Sequence, residues 1–464
     1  MLPMERLTRF LGPVGYLLFV FAGAVLLPGL VAGLHREWGE LALFFGLGGA
    51  AALVGGVAVH FKPVGTLTRG EALALTALAY LLFSLLGGIP FLPVTSFLDG
   101  WFEAASGITT TGLSVLRPEG LPRSLLLFRS LYQWIGGAGI IVISLALLLP
   151  PGRPALALYA AEYGGKNLAG NVRLTARRVG LVYLALTAVG FFIYWACGMP
   201  AYEAGVHILS TVSTGGFSVY SDSIGHYASP AIEGAVALFM LCGATSFPLF
   251  WLLRPGKFPV LVKERQLWAL LGLSLSLGGL AGVAMGTAGG GLFQGISALT
   301  TTGFSSLPTG GLPAAARWVL LLGMLIGGCG GSTAGGIKLF RLLALFALAR
   351  WLYARAHLPS EAEVPLRFLG ERFDQKEVMQ IAAYVGVYLV VLAAATTALV
   401  YWGYGVEQAL FEVVSAQGTV GLSLGVTGPA APVGVKLILI ALMWMGRLEI
   451  LPVILLLRKA VSRR

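Results

Sequence analysis

The sequence predicts an all-α integral membrane protein with ten transmembrane helices. Eight of these form four membrane–pore–membrane repeats in pseudo-fourfold arrangement around one pore, and two more precede them at the N-terminus. Three observations predict this. Hydrophobic residues make up 57% of the chain and charged residues 11%, where a soluble domain carries about 25% charge. Apolar runs of bilayer-crossing length, about 17–25 residues, recur through the 464 residues. One motif, Thr-x-Gly-(Leu/Phe)-Ser, is written four times between such runs.

The first two runs, near 11–34 and 40–60, have no motif between them. The first starts after Arg6 and Arg9 and lacks a small-residue cleavage site, so it reads as a retained span. A repeating order then begins: span, short piece, motif, span. The first copy is 71–90, 97–109 and 124–150; the second is 176–198, 201–213 and 231–253. The third is 266–287, 290–301 and 315–348; the fourth is 379–403, 405–418 and 433–457. The short pieces have the length of re-entrant segments. The chain thus divides into 1–62 with the extra helices, then repeats at 63–155, 156–257, 258–355 and 356–464. Residues 357–377 are the most polar stretch and read as a cytoplasmic linker, either a solvated loop or a partner contact.

Charge sets the orientation. Of the basic residues, 23 fall in one set of connections and six (Arg36, Arg117, Arg123, Arg129, Arg317, Lys436) in the other, with Lys338 and Arg447 within the membrane. The positive-inside bias places both termini in the cytoplasm and brings all four motifs in from outside. The net charge of +11 is spread between spans rather than gathered in one patch, which argues against nucleic acid and for a lipid surround. Cys197, Cys242 and Cys329 show no metal spacing and read as core residues.

The four motifs are Thr110-Thr111-Gly112, Thr214-Gly215-Gly216, Thr301-Thr302-Gly303 and Thr419-Val420-Gly421, each followed by Leu or Phe and then Ser. Six residues before each glycine stands a serine: Ser106, Ser210, Ser297 and Ser415. Nine before stands Glu103, His207, Gln294 or Glu412. Non-helical backbone at membrane depth needs protein or water cover, which predicts a pore lining. Glycine permits positive φ, so carbonyls can turn inward as in a cation filter. Thr419-Val420-Gly421 reads like the start of the potassium-channel Thr-Val-Gly-Tyr-Gly. No copy has the second glycine, which implies a shorter filter with looser discrimination. The short helices aim the negative ends of their dipoles inward. Glu103 and Glu412 on them, and Glu203 and Glu407 at their outer starts, read either as vestibule charges or as caps and hydrogen-bonding anchors.

The second span of the third repeat carries Gly327-Gly328-Cys329-Gly330-Gly331-Ser332-Thr333-Ala334-Gly335-Gly336-Ile337-Lys338. A phosphate-binding loop would need Lys at 337, which is Ile. Glycine costs about 1 kcal/mol per helical position against Ala, so this run reads as an intramembrane gating loop or a static kink. It is the one major break expected in the chain. Arg447 lies inside the last span. It reads as a pore-facing cation, as a partner of nearby Glu449, or as a snorkelling charge.

Together these residues resemble the Trk/Ktr/HKT superfamily of potassium transporters. The likeness rests on the four filters, on Gly331 to Lys338, on Gly446-Arg447-Leu448-Glu449 and on Gln133-Trp134-Ile135-Gly136-Gly137. The two leading spans are similar to the TrkH branch. The resemblance implies four membrane–pore–membrane units around a pore, a homodimer of such pores, and cytoplasmic TrkA-like subunits that bind nucleotides. It implies ion coordination by Thr110 and Thr111, Thr214 and Gly215, Thr301 and Thr302, Thr419 and Val420. It makes the broken span a gate and Arg447 the pore arginine. Gly215 departs from its counterparts.

The expectation is potassium uptake at the inner membrane through a channel-like pore, with K+ as the transported ion and no organic cofactor. The alternative is K+ transport coupled to H+ or Na+. An alternating-access carrier would call for a twofold inverted repeat, and an intramembrane enzyme for a clustered catalytic set. His35, His60, His207, His226 and His357 are dispersed.

Overall fold

Two apolar helices, α1 (Met4–Leu34) and α2 (Trp38–His60), open the described chain. They pack on each other, and α1 lies along the first repeat through Phe21, whose ring is 5.8 Å from that of Phe83. The first repeat is α3 (Arg69–Gly87), α4 (Phe97–Ile108) and α5 (Arg123–Leu147). The second is α6 (Leu168–Ala196), α7 (Ala201–Val212), α8 (Pro230–Ala244) and a single turn, α9 (Phe247–Phe250). The third is α10 (Arg265–Met285), α11 (Ala288–Leu299), α12 (Ala314–Ile326) and α13 (Leu339–Ala356). The fourth is α14 (Gln375–Tyr401), α15 (Val406–Gln417) and α16 (Val433–Arg447).

These elements come from a computed structural model, which describes residues 4–60, 69–147, 168–251, 253, 262, 264–359, 366–368, 371–372, 375–450, 452–454 and 456. Lys62, Arg153, Lys166, Arg254, Lys257, Lys263, Arg458, Lys459, Arg463 and Arg464 lie outside the described residues, as do the repeat boundaries at 62/63, 155/156 and 257/258. Six described helices are long and apolar enough to cross a membrane, among them α1, α2 and α14, and Pro230–Ala244 and Ala314–Ile326 are shorter apolar helices.

Helix starts follow local chemistry. The Ser96 side chain caps α4 by accepting the Asp99 N–H at 3.3 Å. Proline stands at the start of α7 (Pro200), α8 (Pro230), α12 (Pro313) and α16 (Pro432), where its missing N–H costs nothing. The four short helices α4, α7, α11 and α15 are each twelve residues long. Their C-terminal halves are almost wholly buried, so small and apolar residues fill most faces, and the polar Glu103, His207, Gln294 and Glu412 must find partners inside.

Within each repeat the short helix packs against both of its spans. Between repeats the contacts run in cyclic order. The span after each motif packs on the short helix of the next repeat: α5 on α7, α8 on α11, α12 on α15, and α16 back on α4. Ion pairs mark two of these seams, Arg317–Glu407 at 3.0 Å and Lys436–Asp99 at 2.6 Å.

Several expectations need correction. The run 231–253 is not one helix. It breaks after Ala244 because Thr245 and Ser246 are extended and Pro248 has no N–H for the ladder. The run 433–457 likewise stops at Arg447, Glu449 and Ile450 turn left-handed, and a helical turn resumes at Pro452. Among the described residues there are therefore three breaks rather than one. The linker at 357–377 is not a plain solvated loop. Arg367–Phe368 and Glu371–Arg372 pair antiparallel as two short strands, β1 and β2, within an otherwise helical fold. Leu366 and Phe368, two residues apart, are buried with Ala344 and Val378. Arg341, assigned to a cytoplasmic connection, is buried at the start of α13, and Arg129 and Lys436, assigned to outer connections, are buried and ion-paired.

Candidate functional site

Each short helix ends in the same way. The Thr110 N–H donates to the Gly107 carbonyl at 2.9 Å and the Thr111 N–H to the Ser106 carbonyl at 2.9 Å. The same pair recurs from Thr214 and Gly215, from Thr301 and Thr302, and from Thr419 and Val420. This is a Schellman cap, whose left-handed position is usually glycine. Here it is threonine each time, with φ of 56° at Thr110, 52° at Thr214, 54° at Thr301 and 51° at Thr419. A β-branched residue there costs about 1–3 kcal/mol. The glycine two residues on is also left-handed, with φ of 87° at Gly112, 75° at Gly216, 80° at Gly303 and 100° at Gly421. Glycine was legible as the bend; the strained threonines were not.

The four bends meet. A Cβ added at Gly112 would stand 2.2 Å from the Gly215 carbonyl oxygen, and one at Gly216 2.0 Å from that of Thr302. One at Gly303 would stand 1.8 Å from the Val420 oxygen, and one at Gly421 2.5 Å from the Thr111 oxygen. The contacts therefore close on themselves, from repeat 1 through 2, 3 and 4 back to 1. The four left-handed threonines, two residues before the ring glycines, are buried. The Thr110 and Thr419 hydroxyls are buried without a hydrogen bond among the described residues, while the Thr301 hydroxyl accepts the Gly335 N–H at 2.7 Å.

The residue nine before each glycine pins the chain just beyond the bend. The Glu103 carboxylate accepts the Val115 N–H at 2.7 Å and the Ser114 hydroxyl at 2.7 Å, and pairs with Arg129 at 3.1 Å. Glu412 accepts the Ser423 hydroxyl at 2.8 Å and the Leu424 N–H at 3.2 Å. The His207 ring meets Ser218 Oγ at 2.9 Å, and the Gln294 amide donates to the Leu307 carbonyl at 2.8 Å. Both glutamates are buried and spent on these bonds, so the vestibule-charge reading of them is set aside. Glu203 accepts from Tyr220 and Tyr227. On the outer loops, Glu119 accepts the Ser221 N–H at 2.6 Å and hydroxyl at 2.8 Å. Partial burial alone would raise its pKa. The Ser221 bonds, its own N–H and the Arg117 charge outweigh that and hold it below its ordinary value.

The glycine-rich run is an ordered loop packed beneath the ring. Gly327, Gly328, Gly330, Ser332, Thr333, Gly335, Gly336 and Lys338 are buried, and Gly331 is half-buried. The break after α8 feeds it. Ala244 O accepts the Cys329 N–H at 2.9 Å, and Gly243 O accepts the Thr333 hydroxyl at 2.9 Å. The Val212 carbonyl, 3.1 Å from Thr333 Oγ1, shares that one hydroxyl proton, and the Gly336 N–H donates to Gly418 O at 3.1 Å. The loop therefore touches the short-helix ends of repeats 2, 3 and 4. Arg447 ties it to repeat 1, with Nη1 donating to Thr333 O at 2.6 Å and Nη2 to Gly136 O at 2.9 Å. Arg447 is buried, and the local Arg447–Glu449 pair is not formed. Glu449 instead holds Lys338, at 3.2 Å, and Arg341.

A ring of glycine bends among long apolar helices, with a polar loop beneath it, defines a multi-pass membrane transport protein. The family model TrkH, a cation transport protein, matches residues 78–253 and 284–463. The chain is 30% identical over 478 aligned positions to the Trk system potassium uptake protein TrkH of Salmonella typhimurium, covering 96% of each. The same figures hold for TrkH of Escherichia coli K12. The crystal structure of the potassium transporter TrkH from Vibrio parahaemolyticus matches with a TM-score of 0.87 at 28% identity, covering 97% of this chain and 98% of that one. The chain belongs to the TrkH family of cation transport proteins, which are transporters and not enzymes.

Proposed function

We propose that this chain carries potassium into the cell, down its electrochemical gradient, through one pore walled by the four Thr-x-Gly stretches. The closed ring of bends carries this reading. A cation entering a pore must exchange water for other oxygens. The carbonyls of Thr110 and Thr111, Thr214 and Gly215, Thr301 and Thr302, Thr419 and Val420 supply them. The glycines Gly112, Gly216, Gly303 and Gly421 let adjacent walls approach, and the short-helix C-termini add negative potential. The unbonded hydroxyls of Thr110 and Thr419 suit a cation at the inner edge. Relatives named as potassium uptake proteins support K+ as the ion.

Residues 327–338 act as the gate, and Arg447 is the cation that pins it and shapes the potential below the ring. The proposed frame is ten spans, with repeats divided near 62, 155, 257 and 355, in the inner membrane with both termini cytoplasmic. The proposed assembly is a homodimer with TrkA-like nucleotide-binding subunits. Coupling to H+ would call for a titratable carboxylate free in the path. Glu103, Glu412 and Glu449 are each bonded elsewhere, which favours uncoupled flow.

The test is K+ and Na+ flux in liposomes, with and without a proton gradient. Gly112→Ser and Gly421→Ser should each lower the K+/Na+ flux ratio at least about tenfold, because neither the left-handed φ nor the 2.2–2.5 Å approach accepts a side chain. Unchanged ratios would remove the filter assignment. A flux that follows the imposed proton gradient would favour symport.

A further inference from the structure

One wall of the ring is built differently, and a side chain from the neighbouring repeat accounts for it. Thr111, Thr302 and Val420 stand immediately before the ring glycine in repeats 1, 3 and 4, and Gly215 stands there in repeat 2. The backbone does not demand this glycine, since Gly215 is absent from the left-handed residues. What excludes a side chain is Gln133. A Cβ at Gly215 would lie 2.4 Å from Gln133 Cδ, 2.5 Å from Oε1 and 2.8 Å from Nε2, and these are its three nearest atoms.

Gln133 sits on α5, in the repeat before, and is fully buried. Its amide straddles Gly216. Nε2 donates to the Gly215 carbonyl at 2.6 Å, and Oε1 accepts the Phe217 N–H at 3.2 Å. Among the described residues no such donor reaches the carbonyls of Thr111, Thr302 or Val420. In repeats 1 and 3 the corresponding threonines turn their hydroxyls back to their own helix ends, Thr111 to Thr109 at 2.8 Å and Thr302 to Thr300 at 2.9 Å. Repeat 2 has no side chain to do this, and the Gln133 amide occupies that space.

We propose that Gln133 is a positioning residue that determines specificity by holding the Gly215 carbonyl, and that Gln133 and Gly215 form one interlocked pair. The inference rests on the ion-filter reading above. A carbonyl that already accepts an N–H has less negative potential to offer a cation, and a 2.6 Å bond fixes where it points. The ring is thus one of three free carbonyls and one shared carbonyl at this level. The shared carbonyl keeps its position by a brace from across the seam.

The experiment is a cycle of three variants in proteoliposomes: Gln133→Ala, Gly215→Thr, and both together. K+, Rb+ and Na+ fluxes are read beside the melting temperature. Gln133→Ala removes both amide hydrogen bonds and should lower the K+/Na+ ratio about three- to tenfold, as expected for loss of the one that holds the Gly215 carbonyl. Gly215→Thr should lower K+ flux because the new side chain meets the amide. The double variant should recover more of the wild-type ratio than the two single losses combined allow, because the threonine takes the space that the amide leaves. A Gln133→Ala protein with the wild-type ratio, or a double variant no better than the combined single losses, overturns the proposal. If Gln133→Ala is not recovered folded, Gln133→Met keeps the volume without the hydrogen bonds and is read by the same criteria. Absence of K+ selectivity in the wild-type chain would instead strike the filter reading itself.

Discussion

Thr110, Thr214, Thr301 and Thr419 occupy a conformation that threonine ordinarily avoids. The strain persists because the Schellman bonds and the seam contacts over-determine it. Thr419 shows what the strain maintains. Thr419→Gly removes about 1–2 kcal/mol of left-handed strain and restores about 0.5–1 kcal/mol of chain entropy cost. Its melting temperature should stay near wild type while the K+/Na+ ratio falls, since the hydroxyl and the stiff backbone go together. A large loss of stability would show that the side chain serves packing instead. Arg129 is legible only after folding. By position it reads as an outer-loop charge, yet it is paired with Glu103 at 3.1 Å and lies 4.1 Å from the Phe217 ring centroid of the next repeat.

At the scale of the element, the loop 327–338 is held at both ends. Its N-terminal half bonds to carbonyls freed where α8 breaks. At its C-terminal end, Lys338 is left-handed with φ of 75° and is tied to Glu449, which is itself left-handed at 58°. Two breaks in different spans therefore lean on the loop. Glu449 is partly exposed, but Lys338 and Arg341 are buried, so removing its charge leaves two buried cations without their shared carboxylate. Glu449→Gln should loosen the loop, raising basal K+ flux and amide hydrogen exchange across 330–338. Slower exchange there, or unchanged basal flux, would mean that the triad does not restrain a gate. The glycine run marked this break in the sequence. The other two were marked only by Pro248 and Pro452, inside runs whose apolar character hid them.

Across the whole molecule, the first and last repeats must meet for the ring to close. Lys436 of α16 and Asp99 of α4 make that contact at 2.6 Å, across 337 residues of sequence, with both side chains largely buried. Lys436→Met should destabilise the protein by about 1–3 kcal/mol, because the largely buried Asp99 carboxylate loses its cation and keeps only the Thr95 and Ser96 hydroxyls. The exchange Asp99→Lys with Lys436→Asp should recover much of that loss. Failure of the exchange, with equal damage from each single change, would point to a local role for each charge. The short helices and the bends were legible because period and punctuation survive in sequence. The pairing of Gln133 with Gly215, 82 residues apart, was not, because no local pattern encodes a seam.

The sequence by itself determined a multi-pass helical chain in which one glycine motif recurs four times, since apolar length, proline and glycine act locally. It also determined where each unit bends. Only the tertiary structure decided which unit touches which. It set Glu103 and Glu412 to pinning backbone rather than attracting ions, and it gave Arg447 the carbonyls of Thr333 and Gly136 rather than Glu449. The physical reason is that a buried polar group must find its partner wherever packing brings one, and packing joins residues far apart in the chain.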